Sequence, residues 1–319
     1  MSATRVEEAR PPAVTTLVHR VGRTEALLFA LALSATITLI ITTHGNLLHS
    51  DTIRAVLQYL AVPIVIGLAQ MVVLAVGQMS LSVGVLTGLS AVVSAGLMVD
   101  HGVTPWLAVP GALLIGALAG LINGLLVVAT RINGFIVTLA TMTIISGLRY
   151  GVHGTGTYDG YAPGLVKFGR ASILGLPTVF LVAVAVAIAV AWFFRRSVAG
   201  RQLLASGGNP LAARLSGISN DRSVVLAHAL SGLLAGVAGV LVLMLSGSVN
   251  ASIGDDLLLP SFAAPIIGGV ALVGGAVSVL GTCLAAYVVR LVDVAQAQYN
   301  INPRWVDLVV GASCSARSC

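Results

Sequence analysis

Val56–Val99 reads VLQYLAVPIVIGLAQMVVLAVGQMSLSVGVLTGLSAVVSAGLMV, two apolar runs parted by GQMSLSVG (Gly77–Gly84), with no Asp, Glu, Lys, Arg or His in it. A hydrocarbon core about 30 Å thick takes about 20 apolar residues per helix, so each run reads as one membrane span. The same pattern fills the chain. Between Glu25 and Arg131 only Asp51, Arg54 and Asp100 are charged, and 171–194, 223–254 and 257–289 carry no charge. Of the 319 residues 57% are apolar and 9% charged, with a mean hydropathy of +1.00. A soluble domain has about a quarter of its residues charged. This excludes a soluble enzyme, a nucleic-acid-binding protein and a disordered tail.

The runs predict spans near 26–43, 56–76, 82–99, 105–129, 134–152, 173–194, 223–246, 260–274 and 276–292, with a tenth starting at Trp305. The expected fold is all-α, a polytopic transmembrane helical bundle of nine spans plus a shortened tenth. WVDLVVGA (Trp305–Ala312) supplies only eight residues before SCSARSC, about 12 Å of helix against a core of about 30 Å. A tail at 1–24, a transmembrane domain at 25–313 and a polar end at 314–319 complete the expected layout. Residues 1–23 lack the short apolar core and small-residue cleavage site of a signal peptide, so the first run is expected to remain as a span.

Arginine placement gives an orientation. Arg5, Arg10, Arg20 and Arg23 precede the first span, and Arg131 follows the fourth. Arg195, Arg196, Arg201, Arg214 and Arg222 fill the 195–222 loop, whereas Asp51, Asp100, Asp255 and Asp256 lie at the alternate ends. Each arginine at a bilayer centre would cost about 2.5–3.5 kcal/mol on insertion scales, so the arginine-bearing side faces the cytoplasm. The net charge of +6 belongs to this asymmetry. The 153–172 loop (with HGTGTYDGYAPG) is expected outside as polar turns.

Two glycine-bearing stretches interrupt the helical pattern, Gly77–Gly84 and Gly268–Gly281 (GGVALVGGAVSVLG). Broken backbone within a membrane is tolerated only beside protein or a water-filled cavity. Interruptions at corresponding places in two halves point to a transport site. SVGVLTG (Ser82–Gly88) and SVLGT (Ser278–Thr282) share a faint internal likeness. Gly116, Gly120 and Gly124, like Gly232 and Gly236, recur at the four-residue spacing that lets helices approach closely in lipid.

The polar residues expected inside spans are Gln70, Gln78, Ser80, Ser82, Asn123, Thr138, Thr141, Thr143 and His228. Hydroxyls and amides without charge suit a neutral, hydroxyl-rich solute, and His228 reads as a packed residue. Every acid is expected at a span edge or in a loop, which argues against ion coupling through carboxylates. The single lysine, Lys167, follows Val166, so no GxxxxGK[ST] phosphate loop exists and the chain is not an ATPase. Scattered histidines and three cysteines (Cys283, Cys314, Cys319) form no metal or disulfide spacing. In the 195–222 loop, Asn209-Pro210 can start a short helix over LAARLSG (Leu211–Gly217), with proline at a tolerated early position.

Six blocks stand in order: LSVG (81–84), LINGLLV (121–127), GFIVTLATMTIISGL (134–148), GGNPLAARLSGIS (207–219), ALSGLLAGVAGVL (229–241) and GG…GG…SVLGT (268–282). On these residues the chain, from about Asn46 to Val310, resembles the permease subunit of bacterial ribose-type ABC sugar importers. The resemblance implies a permease, not an enzyme, in the bacterial inner membrane, pairing with a second copy as a homodimer among membrane lipid. An ABC ATPase subunit would bind below, using ATP and Mg, and an extracytoplasmic sugar-binding protein would dock above. The chain itself would bind no cofactor, metal or nucleic acid. Asn209, Pro210, Leu211, Ala212, Ala213 and Gly217 would form the ATPase-coupling element, and Gln78, Ser80, Ser82, Asn123, Phe135 and Thr138 the substrate path. The chain departs from the family pattern at Leu211, where glutamate is expected, at Ser80, where aspartate is expected, and at Val270-Ala271 in place of Thr-Ser. The function this implies is inward movement of a neutral sugar (a pentose or hexose) by alternating access. An ABC permease for nucleosides or another small solute and an ion-coupled secondary carrier are the alternatives.

Overall fold

The computed structural model describes residues 14–42, 49–154, 156–173 and 175–299. Twelve α-helices order this part of the chain. They are α1 (Val14–Thr42), α2 (Ser50–Leu74), α3 (Val83–Val99), α4 (Pro105–Thr130), α5 (Gly134–His153), α6 (Pro163–Arg170), α7 (Thr178–Arg196), α8 (Val198–Gly208), α9 (Pro210–Leu215), α10 (Asn220–Leu245), α11 (Leu258–Ile267) and α12 (Val279–Tyr299). Strands β1 (Thr157–Asp159) and β4 (Ser248–Asn250) pair antiparallel, as do β2 (Ser172–Ile173) and β3 (Leu176–Pro177). Among the described residues seven helices are long and apolar enough to cross a membrane: Glu25–Thr42 in α1, α2, α4, Gly134–Gly151 in α5, α7, α10 and Val279–Gln296 in α12. The shorter apolar α3 has 17 residues, about 25 Å at 1.5 Å each.

The core is built around α2. From Leu60 to Leu74 it is apolar all round but for Gln70, and every residue there except Pro63 is buried, as a helix wrapped on all sides must be. Helices α7, α10, α11 and α12 surround it. The outer helices turn apolar side chains outward, among them Phe29, Trp106, Ile144, Ile188 and Trp192. Exposed apolar surface on that scale marks a face made for lipid.

The glycine spacing read from the sequence forms one seam. Helix α4 lies antiparallel against α10, with Gly116 facing Gly232 and Gly236, Gly120 facing His228 and Gly232, and Gly124 facing Val225. At Gly116 and Gly120 backbone meets backbone directly. This is the close approach that small residues at four-residue spacing allow in lipid.

Several boundaries differ from the sequence reading. The span expected at 260–274 is α11, only 10 residues long and about 15 Å. Its apolar run continues through 268–278 without helix, because Gly269, Gly274 and Gly275 take positive φ (84°, 94° and 81°). The span expected at 276–292 is α12, running on to Tyr299. That expected at 173–194 begins after the β2–β3 turn, at Thr178. The 153–172 loop is more ordered than polar turns: it holds β1 and the amphipathic α6, with Tyr158 and Tyr161 buried. The 195–222 loop contains α8 as well as the expected short α9. The shortened tenth span and the 314–319 tail lie outside the described residues.

Candidate functional site

The turn after α2 gathers most of the residues singled out by the sequence. Gly77 takes φ 70° there, a conformation glycine adopts without steric cost. The chain then crosses Gln78–Ser82 and enters α3. Asn123, on the buried face of α4, donates from Nδ2 to Ser82 Oγ at 2.9 Å, and Ser82 Oγ lies 3.0 Å from Ser80 Oγ. The Leu81 N–H donates to Thr138 Oγ1 at 3.0 Å, and that hydroxyl donates to the Gly134 carbonyl at 2.7 Å. The Gly134 N–H donates to Gln78 Oε1 at 2.9 Å. Gln70 completes the cluster from α2: with its amide oriented to match the donor and acceptor it faces, the nitrogen donates to the Ser80 carbonyl (2.9 Å) and the oxygen accepts from the Ser80 N–H (3.3 Å). Four elements are thereby tied at one turn by polar groups that are almost all buried. An interhelical hydrogen bond in a membrane contributes about 0.6 kcal/mol on average, so the cluster holds its elements firmly without locking them.

Phe135 does not join this cluster. Its N–H donates to Asn133 Oδ1 at 2.9 Å, and the residue is exposed. His228 is buried in the α4–α10 seam, as a packed residue would be, and its Nε2 has no hydrogen-bond partner among the described residues.

A few residues beyond Gln70, the same turn meets the segment expected to couple to a partner. Asn209 caps α9 by accepting from the Ala212 N–H at 3.0 Å. Asn220 holds the far side, donating to the Pro210 carbonyl at 2.9 Å and accepting from Ser206 Oγ at 2.9 Å. Ala213 is buried in this seat, whereas Leu211 and Leu215 are 70% and 84% exposed. Gly217 ends the element at φ 80°. Immediately before α9, Gly207 packs against Ala75 and Gly275, Gly274 packs against Gly77 and Gly207, and Gly275 packs against Gly208. The Gly275 N–H donates to the Ala75 carbonyl at 3.0 Å. Backbone from α8, from the turn after α2 and from the 268–278 break is therefore in direct contact. Ser82 immediately precedes α3, and Ser278 immediately precedes α12, where it accepts from the Gly281 N–H at 2.8 Å. The two faintly alike stretches thus occupy corresponding places after the two interruptions.

The interior is not free of charge: Arg149 and Arg290 lie inside spans, Asp255 stands outside them as expected, and Asp293 falls within α12 because that helix runs past the expected end at 292. Arg149 lies within the α5 span and is fully buried. Its guanidinium donates to the Ile253 carbonyl and pairs with Asp255, just before α11. Arg290 and Asp293 lie within the α12 span, 3.3 Å apart. Hydropathy averaged over a window hides a single arginine, and Asp255 is 106 residues away from Arg149, so no local spacing reveals that pair. At the same end of the bundle, the Tyr158 hydroxyl donates to Asp100 at 2.6 Å. That bond, with burial adding to it, pushes the phenol up to about 12. Among the described residues no group of three or more His, Cys, Asp or Glu could hold a metal ion.

Comparison with known proteins places this architecture. Residues 52–313 match the family described as branched-chain amino acid transport system / permease component. The autoinducer 2 import system permease protein LsrD of Yersinia enterocolitica is 34% identical over 70% of this chain and 70% of its own length. The ribose import permease protein RbsC of Haemophilus influenzae is 31% identical over 79% of each chain. The fructose import permease protein FrcC of Rhizobium meliloti is 30% identical over 84% of this chain and 76% of its own. No solved structure matches. The resemblance to the ribose-type permeases therefore holds, and the chain, a multi-pass helical membrane protein, belongs to the permease family of the branched-chain amino acid transport system type.

Proposed function

We propose that this chain is the membrane permease of an ATP-driven importer that moves a neutral monosaccharide into a bacterial cytoplasm by alternating access. The carrying observation is the glycine junction, where Gly207, Gly274 and Gly77 bring α8 into backbone contact with both interruptions of the bundle. A push delivered at α9 would reach the polar cluster through backbone alone, with no flexible side chain to absorb it. Arg131, Arg195, Arg196, Arg201, Arg214 and Arg222 at the α9 end orient that end, and the N-terminus, to the cytoplasm. The choice of a neutral sugar draws on the names of the ribose and fructose relatives and on the uncharged cluster of Gln78, Ser80, Ser82, Asn123 and Thr138. In this reading two copies of the chain form the permease. A cassette ATPase, using ATP and Mg, binds the cytoplasmic face, and an extracytoplasmic sugar-binding protein delivers the solute.

The docking face for the ATPase would be Leu211 and Leu215, which project from α9, while Ala213 anchors the helix from beneath. Exposed substitutions of this kind change stability by about 0.5 kcal/mol or less. Leu211→Asp combined with Leu215→Asp is expected to lower the ATPase co-purified with the chain at least tenfold while leaving the amount of chain in the membrane unchanged. Undiminished co-purification would remove α9 as the docking element. The transport reading is tested by uptake of sugar into proteoliposomes holding the assembled complex. Uptake should require ATP, and accumulation against a gradient by the chain alone would overturn the reading.

A further inference from the structure

The geometry points to a second polar site, in the half of the bundle away from α9: a cavity between α2, the end of α10, the 253–260 segment and α12 that holds a neutral monosaccharide. The inference rests on the import reading above and names where the solute is held before it reaches the cluster at the turn after α2. The cavity measures about 500 Å³, within the range of about 300–1,000 Å³ in which small-molecule sites fall. It is formed by the C-terminal end of α10, and the N-terminal end of that helix follows α9 directly. It therefore lies toward the side from which a binding protein would deliver solute.

The lining has the mixture that a sugar ring needs. Val62, Pro63 and their apolar neighbours form most of the wall, and Tyr59, Ser246, Asp256, Arg290 and Asp293 supply the polar groups. The Arg290 guanidinium carbon lies 5.1 Å from the centre of the Tyr59 ring, and its Nη1 reaches Asp293 Oδ2 at 3.3 Å. The Nε of Arg290 has no hydrogen-bond partner among the described residues. Carboxylates accept from neighbouring hydroxyls and a guanidinium donates in a fixed fork, while an aromatic face offers an apolar platform with a polar tip. Among the described lining residues the Arg290 guanidinium stands beside the Asp256 and Asp293 carboxylates, so the wall offers both donors and acceptors to a hydroxyl-rich ring. Ionisable groups within a membrane span are costly and mark solute pathways.

The test uses the complete complex of permease, ATPase and binding protein in proteoliposomes, with radiolabelled D-ribose and D-fructose as probes. The variants are Asp293→Asn, Arg290→Lys, Asp256→Asn and Tyr59→Leu, each near-isosteric or partly exposed. Expected is ATP-dependent uptake of at least one probe by the natural chain, and an at least tenfold rise in the half-saturating sugar concentration for Asp293→Asn and Arg290→Lys. ATPase co-purification and elution volume should stay unchanged. Uptake by all four variants indistinguishable from the natural chain would overturn the cavity and leave the import reading standing. Equal loss of uptake and of assembled complex in Asp293→Asn and Arg290→Lys would show a structural pair and also overturn it. Failure of the natural chain to take up either probe with ATP would overturn the import reading and, with it, this site's assigned ligand.

Discussion

Gly120→Leu is expected to remove the folded chain from the membrane. A Cβ at Gly120 would stand 2.9 Å from Gly232 Cα and 3.1 Å from its nitrogen, with the His228 carbonyl closer still. All three obstacles are backbone, so no rotamer change relieves them. The helices would have to separate along the seam, which also opens the approaches of Gly116 to Gly236 and of Gly124 to Val225. Overpacking a well-filled interior costs about 1–3 kcal/mol. A leucine wedged between two backbones lies at or above the top of that range, a large share of a net stability of about 5–15 kcal/mol. Less than a tenth of the natural amount of chain should be found in the membrane fraction, and detergent-solubilised protein should melt well below the natural chain. Gly147→Ala in α5 is the control, because a Cβ there meets nothing within 4 Å. It should leave both readings unchanged, and equal damage from the two substitutions would show that the seam is not special.

That seam was readable because its cause is local. Glycines four apart lie on one helix face whatever the partner, so Gly116, Gly120 and Gly124 announce a close approach before the partner is known. The turn after α2 was readable for a related reason: Gly77 and the hydroxyls beside it stand out against uniformly apolar flanks. The polar residues expected along the path then meet because a buried polar group needs a partner and each supplies the other's. Phe135 offered only its position beside them, and apolar side chains in a membrane protein face lipid as readily as protein.

The features that escaped depend on distant pairing or on glycine conformation. Residues 268–278 are as apolar as a span, yet Gly269, Gly274 and Gly275 at positive φ turn the chain there, and composition cannot distinguish the two outcomes. Arg149 is legible as an isolated charge, but its neutralisation by Asp255 is a fact of tertiary structure. The β1–β4 pairing joins residues about ninety apart, with too few residues in either strand for an alternating pattern. Helix α8 escaped because its sequence, VAGRQLLASGG, has three glycines that read as loop. They are there for contact instead: Gly200 lies on Phe193 and Phe194, and Gly207 on Ala75.

Gly207→Ala is expected to stop transport while leaving the complex assembled. Its Cβ would lie 2.8 Å from the Gly275 nitrogen and within closer range of the Ala75 carbonyl, the two atoms joined by the bond that ties the two interruptions. The added methyl can be accommodated only by moving one backbone away from the other, which separates α8 from the segments it is proposed to drive. Leu211 and Leu215 are exposed on α9, beyond the Asn209 cap, so the proposed ATPase face is untouched. ATP-dependent uptake should fall at least tenfold while ATPase co-purification persists, with hydrolysis no longer stimulated by solute delivery. Gly208→Ala provides the comparison one residue on, where the nearest obstacle is Gly275 Cα at 3.5 Å, an ordinary contact, so its uptake should remain close to natural. If Gly207→Ala transports normally, the junction carries no force and the coupling route lies elsewhere. If the variant chain is lost from the membrane, the junction is an element of folding, and α9 would need another path to the cluster around Ser82.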